Sequence, residues 1–266
     1  MRRSFPLLLA CLSCPAILFS GPATEHAAQF APTGTLRATF LGNNPVQARV
    51  DAKTSEITGP IADLTKELAR RLGVPYKITP SPDARSVIDS LKNHTADIGF
   101  LAYHAPRAVE VDYAGPFELM LNSYVVAADS PAQKSSDLEK SGITIGAVPG
   151  QTQAIYLAEH LKNATLRMFP TQPPAPELQR LFASGELHAF AMNRQRALEL
   201  AGAEPSLRAL PDSFLEVEQE FVLEKGSDPA KLTFLNQFVE ELRASGFLKS
   251  SIERAKIVGA EVARPH

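Results

Sequence analysis

The sequence predicts an α/β fold in which two groups of alternating strands and helices follow one another along a single chain. The first group ends with a strand at residues 123–128, and the alternation starts again after the chain-breaking segment 129–131, Asp-Ser-Pro. Strands that alternate with helices form βαβ units around a parallel sheet. Residues 24–266 make up about 240 residues, a length that suits two lobes. We therefore expect two lobes, each a mainly parallel sheet flanked by helices.

The first group begins with a strand at residues 36–41, LRATFL. Gly59 then precedes a helix that has Pro60 in its first turn and ends at Gly73, which are the usual positions for these residue types. The apolar residues of this helix fall on one stripe, so the helix should cover a sheet; they are Ile61, Leu64, Leu68 and Leu72. The other predicted elements are a strand at 76–79, a helix at 85–93 and a strand at 97–101.

The second group repeats this alternation. Its predicted elements are strands at 143–148, 166–169 and 188–192, with helices at 151–163 and 176–184. A strand at 221–224 and a long helix at 229–245, ended by Gly246, complete the chain. Two independent domains in tandem would leave this last piece without a sheet of its own.

The first 23 residues have the features of a secretory signal peptide. Arg2 and Arg3 precede an apolar stretch at residues 5–19, which is too short to span a membrane and is followed by small residues. We expect cleavage after Ala23, with a cut after Ala28 as the alternative. The protein should therefore be periplasmic.

Both cysteines of the chain, Cys11 and Cys14, would leave with this leader. Residues 8–11, Leu-Leu-Ala-Cys, also resemble a lipobox, so a lipid-anchored form is the alternative to a free one. Without the leader the chain has no cysteine and can form neither a disulfide nor a thiol nucleophile.

Composition argues against several classes of partner. Without its leader the chain has 25 basic residues against 29 acidic ones, a net charge of −4. This balance gives no electrostatic reason to expect nucleic acid or an anionic membrane as a partner. The sequence also has no metal-ligand cluster and no phosphate-binding glycine loop, so we expect no cofactor and no metal.

Arg107 is the strongest candidate for a ligand contact. It follows a short apolar run at residues 96–101, typical of a parallel strand buried on both faces. Ligands of open α/β sheets bind at the carboxyl ends of strands, and a guanidinium offers a planar fork of donors that matches a carboxylate. The alternative is an exposed loop arginine paired with Glu110 or Asp112.

This segment resembles the signature of family 3 periplasmic solute-binding proteins, the polar amino acid receptors of ABC importers. Residues 97–98, Asp-Ile, stand where the family has D-V/I-I, and residues 105–107, Ala-Pro-Arg, stand where it has P-E-R. Residues 111–117, VDYAGPF, match its V-D-F-S-x-P-Y, and the resemblance extends along nearly all of the mature chain. It implies a two-lobed periplasmic-binding-protein fold, also called a Venus flytrap, in which Arg107 binds a ligand carboxylate.

The resemblance also implies a domain organisation and partners. The expected segments are a signal peptide at 1–23, the first lobe at 24–124, the second lobe at 125–218 and a return to the first lobe with the C-terminal helix at 219–266. Two crossings, near residues 123–129 and 215–225, would form a two-strand hinge. Such a receptor would be a monomer that captures a small carboxylate by lobe closure and delivers it to a membrane ABC permease.

A receptor that closes around its ligand needs polar groups on both sides of its cleft. On the first lobe we expect, besides Arg107, the loop residues Ala102, Tyr103 and His104 and either Asn43 or Asn44.

On the second lobe the best candidates are Gly150, Thr152 and Gln153, where a helix begins. Unpaired backbone N–H groups at a helix start can hold a carboxylate, and Thr152 matches the second threonine of the family's Q-G-T-T. The alternative is that Gln151 or Thr152 merely caps the helix.

Asn193 departs from the family pattern. Receptors of α-amino acids usually carry an Asp there, which pairs with the ammonium group, and an amide supplies no such charge. A carboxylate with a hydroxyl, keto or amide substituent would suit Asn193 better. The alternative is that Asn193 caps the helix that follows it.

Two further departures concern the first lobe. The loop up to Arg107 is two residues shorter than in the family and lacks its Ser/Thr pair. No aromatic residue follows the first strand, so Tyr103 is the candidate to replace the ring that stacks on the ligand. His104 could make a pH-sensitive contact, although an exposed loop position is the alternative.

Two other classes of protein share this fold. A sensor subunit would dock on a membrane kinase instead of a permease. A cyclohexadienyl dehydratase-like enzyme would need a positioned acid, and the cleft residues named above include no Asp or Glu, so we do not expect an enzyme.

Overall fold

The computed structural model describes residues 22–42, 44 and 46–265, with side chains from residue 26 onward. Asn43, both cysteines and most of the predicted signal peptide lie outside the described residues. Pro22 and Ala23, at the end of the predicted leader, belong to the first helix.

The strands are β1 (Leu36–Leu41), β2 (Arg49–Val50), β3 (Ile57–Thr58), β4 (Tyr76–Ser81), β5 (Ile98–Ala102), β6 (Val111–Ala127), β7 (Thr144–Ala147), β8 (Thr165–Met168), β9 (Ala189–Asn193), β10 (Leu207–Ala209), β11 (Leu215–Glu224) and β12 (Ala260–Val262). The helices are α1 (Pro22–Phe30), α2 (Pro60–Leu72), α3 (Ala84–Lys92), α4 (Thr152–His160), α5 (Ala175–Ala183), α6 (Arg194–Ala203), α7 (Pro229–Ala244) and α8 (Phe247–Arg254). Short 3-10 turns occur at Ala105–Val109 and Ser135–Leu138.

One hydrogen-bonded sheet runs through the molecule in the order β4-β1-β5-β11-β6-β9-β7-β8, with β10 and β12 attached to β6. At one end β1 pairs in parallel with β4 and β5, and at the other β7 pairs in parallel with β8 and β9. We call these groups, with the helices packed on them, the first and second lobes. β6 and β11, the central strands, form an antiparallel pair between them.

The first lobe has a core that joins both ends of the chain. Helices α1, α2 and α7 pack on β1 and β5, and buried aromatic rings fill the space between them: Phe30, Phe40, Phe100, Phe117, Phe221 and Phe238. A smaller cluster lies under α3, around Ile88 and Val222. The helix at the C-terminus thus packs in the first lobe.

The second lobe has a smaller core on each face of its sheet. One cluster joins α4 to the sheet through Leu157 and Ile145, and the other joins α5 and α6 through Leu178 and Ala197. The predicted alternation of strands and helices in this lobe is confirmed, with each element within a few residues of its expected bounds.

Helix α2 shows why its bounds were predictable. Gly59 has φ 117°, a conformation that side-chain-bearing residues avoid, and Pro60 occupies the first turn. Gly73 ends the helix in the left-handed region, where its N–H bonds back to Ala69 and Arg70. The predicted apolar stripe is buried.

Strand β6 is much longer than predicted. The strand expected at residues 123–128 is only the last part of a 17-residue strand that begins at Val111. Gly115 and Pro116 resemble a turn in the sequence, but they lie in a bulge, where residues 115–117 stand opposite the single residue Glu220. The backbone N–H of Gly115 donates to Oδ1 of Asn236 on α7 at 2.7 Å, so the bulge is anchored.

A further element, β12, follows α8 and pairs antiparallel with β6 at residues 118–120. The preceding loop reaches the second lobe, because Val258 N donates to Oε1 of Gln195 at 2.7 Å. Neither α8 nor β12 was predicted.

Within the described ranges no helix is both long and apolar enough to cross a membrane.

Candidate functional site

A cleft of about 470 Å³ lies between the lobes at the carboxyl ends of their parallel strands. Residues that follow β1, β4 and β5 line one side, and residues that follow β7 and β9 line the other. Seven predicted site residues line this cleft together: Asn44, Ala102, Arg107, Gly150, Thr152, Gln153 and Asn193.

Arg107 lies in the 3-10 turn after β5 and is half-buried. Its Nη1 donates to the carbonyl oxygen of Ala102, 3.3 Å away. One of the two predicted alternative partners, Glu110, pairs with Arg85 and Lys92 instead. The guanidinium therefore lies at the cleft without an ion pair to Glu110.

The other candidate partner of Arg107, Asp112, is engaged by Lys225 at 2.8 Å and by the backbone N–H groups of Gly226 and Ser227. Burial raises the pKa of Asp112, but the hydrogen bonds of Lys225 and these N–H groups outweigh it, so the net pKa is lowered. The carboxylate thus serves to fix the turn after β11.

The second lobe presents the start of α4 to the cleft. Gln151 stands at the N-cap position with extended backbone and makes no side-chain cap, so Gln151 does not act as the expected cap, and Thr152 is the first residue of the helix itself. Gly150 has φ 77°, a left-handed conformation that a glycine adopts without strain, and it turns the chain from β7 into the helix. The first N–H groups of the helix and the side chain of half-buried Thr152 lie at this edge.

Gln153 is buried against the central strands. Its Nε2 donates to Oδ1 of Asn122 on β6 at 2.6 Å. Asn122 in turn donates to the carbonyl oxygens of Met120 and Leu215. Gln153 thus anchors α4 to both central strands at the edge of the cleft.

Asn193 lines the cleft and also caps α6. Its Oδ1 accepts from the backbone N–H of Arg196 at 2.8 Å. The predicted cap of α6 is therefore confirmed, and the oxygen of this amide is engaged by the helix.

Tyr103 does not line this cleft. It borders a second cavity of about 530 Å³, formed by the loop after β5, helix α4 and strand β11. The residue is 46 % exposed, and its ring packs edge-on against Tyr113, with the ring centroids 5.1 Å apart. A stacking role for Tyr103 inside the cleft thus finds no support in this arrangement.

His104 borders the same second cavity. Burial and the neighbouring guanidinium of Arg107 lower the pKa of this histidine, while the carboxylate of Glu159 acts against them. The net effect is a lowered pKa, which favours the neutral imidazole.

The cleft also contains residues that the sequence did not single out, among them Gln47, Asp83 and Met120. Asp83 follows β4, so the rule that ligands bind at strand carboxyl ends could have found it. Gln47 and Met120 depend on how a loop and a central strand meet, which local sequence does not show.

Charged groups are few in the cleft. Arg107 and Asp83 are its charged lining residues among those described. Asp83 caps α3 by accepting from Ser86 N at 2.7 Å, and this hydrogen bond lowers the pKa of the carboxyl group. Across the described ranges, no three His, Cys, Asp or Glu side chains are grouped so that they could hold a metal ion.

Comparisons with known proteins agree with this architecture. Residues 37–255 match the bacterial extracellular solute-binding proteins, family 3. The chain matches none of the curated proteins with which its sequence was compared.

Solved structures of similar fold include a binding component of an ABC transporter from Wolinella succinogenes, complexed with lysine. It is 22% identical with a TM-score of 0.66, and the match covers 83% of this chain and 95% of that one. An ancestral amino acid-binding protein, described as a precursor of cyclohexadienyl dehydratase, is 22% identical with a TM-score of 0.64 over 86% of this chain and 98% of that one. An amino acid ABC transporter substrate-binding protein from Streptococcus pneumoniae, bound to L-arginine, is 21% identical with a TM-score of 0.62 over 85% and 96% of the two chains.

The family match spans most of the chain, and the solved structures above share its overall fold. The protein belongs to family 3 of the bacterial extracellular solute-binding proteins and has their two-lobed fold.

Proposed function

We propose that this protein captures a small carboxylate by closing its two lobes and delivers it to an ABC importer. The observation that carries this proposal is that Arg107 of the first lobe and the start of α4 in the second lobe line one cleft. A guanidinium binds a carboxylate through two parallel hydrogen bonds, and helix N–H groups favour an anion. A carboxylate held from both sides would stabilise the closed form relative to the open one.

The substituent next to that carboxylate is a separate question. Asn193 supplies a neutral amide whose oxygen already caps α6, and this supports an acid without an α-ammonium group. Two of the similar solved structures are complexed with lysine and with L-arginine, and this supports an amino acid. A panel of matched acids separates the two classes.

The test is a thermal-shift panel on refolded, ligand-stripped protein. Each α-amino acid is paired with its α-hydroxy and α-keto analogues, because ligands that bind the folded state raise the melting temperature. We expect at least one carboxylate to stabilise the wild type and to have no effect on Arg107→Ala. Arg70→Ala is the matched control, since Arg70 lies on an exposed face of α2 and pairs with Glu67. A panel in which Arg107→Ala responds like wild type would overturn the proposal.

Delivery requires a membrane partner. The family match supports a permease of the ABC type, and a sensor kinase is the alternative partner for the same closed form. Co-purification of ligand-bound protein from membranes should retain a permease, and retention of a kinase instead would assign the sensing role.

We further propose that the ligand leaves unchanged. One similar structure is described as a precursor of cyclohexadienyl dehydratase, so turnover of prephenate and arogenate is the relevant check. The described cleft has one carboxylate, Asp83, which serves as a helix cap. Measurable product from either substrate would contradict this part of the proposal.

A further inference from the structure

The segment that follows α8 leaves the first lobe and returns to it. We call residues 255–263 the C-terminal clasp. At one end the clasp continues from α8, where the hydroxyl of Ser251 donates to the carboxylate of Asp63 on α2 at 2.6 Å. At the other end Nε of Arg243 on α7 donates to the carbonyl oxygen of Ala263 at 2.8 Å. Helices α2, α7 and α8 all contribute to the core of the first lobe, so both ends of the clasp are anchored there.

The middle of the clasp touches the second lobe. The backbone N–H of Val258 donates at 2.7 Å to Oε1 of Gln195, which lies in the first turn of α6. Gly259 passes so close to this turn that a Cβ on it would lie 2.3 Å from the backbone nitrogen of Gln195. A residue with a side chain could not approach so closely. The clasp thus joins the two lobes in addition to the chain crossings made by β6 and β11.

Gln195 is held so that its amide oxygen faces the clasp. The residue is buried, and its Nε2 donates to Oε1 of Glu199, one turn further along α6, at 2.6 Å. A backbone N–H can only donate, so the contact with Val258 requires the amide oxygen on that side. Both ends of the amide are therefore engaged, and loss of either bond would leave a buried polar group without its partner.

The clasp also lies along β6, one of the two central strands. Its strand β12 pairs with β6, and the carbonyl oxygen of Gly259 accepts from the backbone N–H of Leu121 at 2.9 Å. The next residue of β6, Asn122, pairs with Asn193, the residue that caps α6. The clasp therefore contacts α6 at the point where the second lobe joins the central strands.

We infer that the C-terminal clasp is a third connection between the lobes, which restrains their relative movement and holds the start of α6 in place. Movement of the second lobe about β6 and β11 must either carry the clasp along or break the contact between Val258 and Gln195. The anchors in the first lobe oppose the former, and the buried amide of Gln195 opposes the latter. Gln195 is thus a positioning residue for the arrangement of the lobes.

The consequence for the ligand cleft rests on the proposed function. Asn193 lines the cleft and stands two positions before Gln195, at the same helix start. A receptor whose lobes and cleft side chains are already held in place loses less conformational freedom when it binds. Loss of the clasp contact should therefore weaken ligand binding, although it removes no residue that lines the cleft.

Distances between two spin labels test the restraint without any ligand. The chain without its leader has no cysteine, so cysteines introduced at exposed Lys66 on α2 and Glu177 on α5 place one label on each lobe. Double electron–electron resonance should give a narrow distance distribution for otherwise wild-type protein and one about 1.5-fold wider for Gln195→Leu. Equal widths would overturn the inference. Arg107→Ala should keep the narrow distribution, so failure of the proposed function would leave this result unchanged.

A double variant tests whether the hydrogen bonds of Gln195 hold the clasp. Gln195→Glu combined with Glu199→Gln exchanges the amide and the carboxylate. The carboxylate at position 195 can still accept from Val258, and the amide at position 199 can donate to it. The double variant should therefore restore the narrow distribution. A distribution as wide as that of Gln195→Leu would contradict the role of these bonds.

Gly259→Ala breaks the same contact from the side of the clasp, because its Cβ would push the clasp away from α6. It should widen the distribution as Gln195→Leu does, and it replaces that variant if Gln195→Leu does not fold.

Ligand affinity tests the effect on the cleft. For the acid that gives the largest thermal shift in the panel, Gln195→Leu should raise the dissociation constant about fivefold, and the double variant should restore it to within about twofold of wild type. Wild-type affinity in a Gln195→Leu protein whose distance distribution is widened would contradict the effect on the cleft.

Discussion

The carbonyl oxygen of Ala102 accepts a hydrogen bond from Nη1 of Arg107 at 3.3 Å. The same oxygen accepts the hydroxyl of Tyr113 at 3.1 Å. This carbonyl ends a parallel strand, so it fixes one arm of the guanidinium at the edge where both lobes meet. The position of Arg107 therefore depends on the strand end and on its neighbours as well as on its own loop.

Tyr113→Phe should weaken carboxylate binding. Removal of the hydroxyl takes away one of two donors to the Ala102 carbonyl and loosens the position of Arg107, at a cost of about 1 kcal/mol or about fivefold in dissociation constant. Isothermal titration with the best acid of the panel measures this. Tyr103→Phe, whose ring is exposed beside Tyr113, is the control and should bind as wild type. Equal effects of the two variants would contradict the account.

Two substitutions of Asn193 separate its role as the cap of α6 from a role in ligand binding. Asn193→Ala removes the cap of α6 and should lower the free energy of unfolding by about 1 kcal/mol, whereas Asn193→Asp keeps the cap. The new carboxylate should also improve binding of α-amino acids relative to their keto analogues, because it supplies a countercharge for the ammonium group. Denaturant unfolding and the thermal-shift panel measure the two effects. If Asn193→Asp prefers the same ligands in the same order as wild type, the α-substituent of the ligand does not contact residue 193.

Gly259 limits how the C-terminal segment crosses to the second lobe. A Cβ there would lie 2.3 Å from the backbone nitrogen of Gln195, and a backbone atom cannot rotate away. Gly259→Ala should therefore lower the free energy of unfolding by about 2 kcal/mol. Gly202→Ala on α6, where a Cβ meets nothing within 4 Å, should leave stability unchanged or raise it by up to about 1 kcal/mol. Equal stability of the two variants would show that the contact gives way easily.

Glu220 should make stability depend on pH. Burial, together with the charge of Glu218, raises the pKa of Glu220 from 4.5 to about 7. Between these values the folded state holds a proton that the unfolded state releases, so the free energy of unfolding falls as pH rises through this window. Among its neighbours, Tyr113 also has its pKa raised, chiefly by its own burial.

Glu220→Gln should remove the loss of stability that wild type shows as pH rises. The variant should match wild type at pH 4 and exceed it by about 3 kcal/mol at pH 8 in denaturant unfolding. Glu216→Gln, an exposed position on the same strand, is the control. A constant difference between Glu220→Gln and wild type from pH 4 to pH 8 would mean that Glu220 does not titrate in this range.

Much of the fold was predictable because local signals and the final packing agree. Helix α2 carries its own start, stop and apolar stripe, and strands such as β5 and β9 are short apolar runs next to helices or turns. Strand β6 was predictable only in part. Gly115 and Pro116 resemble a turn, and the anchoring by Asn236 that keeps them within the strand comes from a helix 121 residues away in the chain.

Part of the candidate site was also predictable from the sequence, and part was not. Arg107 and Thr152 each follow a parallel strand and Asn193 ends one, so sheet geometry places them at one edge. The cleft residues Gln47 and Met120 were not predictable, because they depend on how a loop and a central strand meet. Tyr103 was expected in the cleft as a replacement for the aromatic ring that is missing after the first strand, but its side chain packs on Tyr113 and borders the other cavity.

The most direct test of the central claim combines a change in the protein with a change in the ligand. Isothermal titration would compare the best acid of the panel with its carboxamide, on wild type, Arg107→Ala and the control Arg70→Ala. If Arg107 binds the carboxylate, wild type and Arg70→Ala should prefer the acid by at least about tenfold, and Arg107→Ala should bind both compounds equally weakly. An Arg107→Ala protein that still prefers the acid as strongly as wild type would show that the carboxylate is held elsewhere.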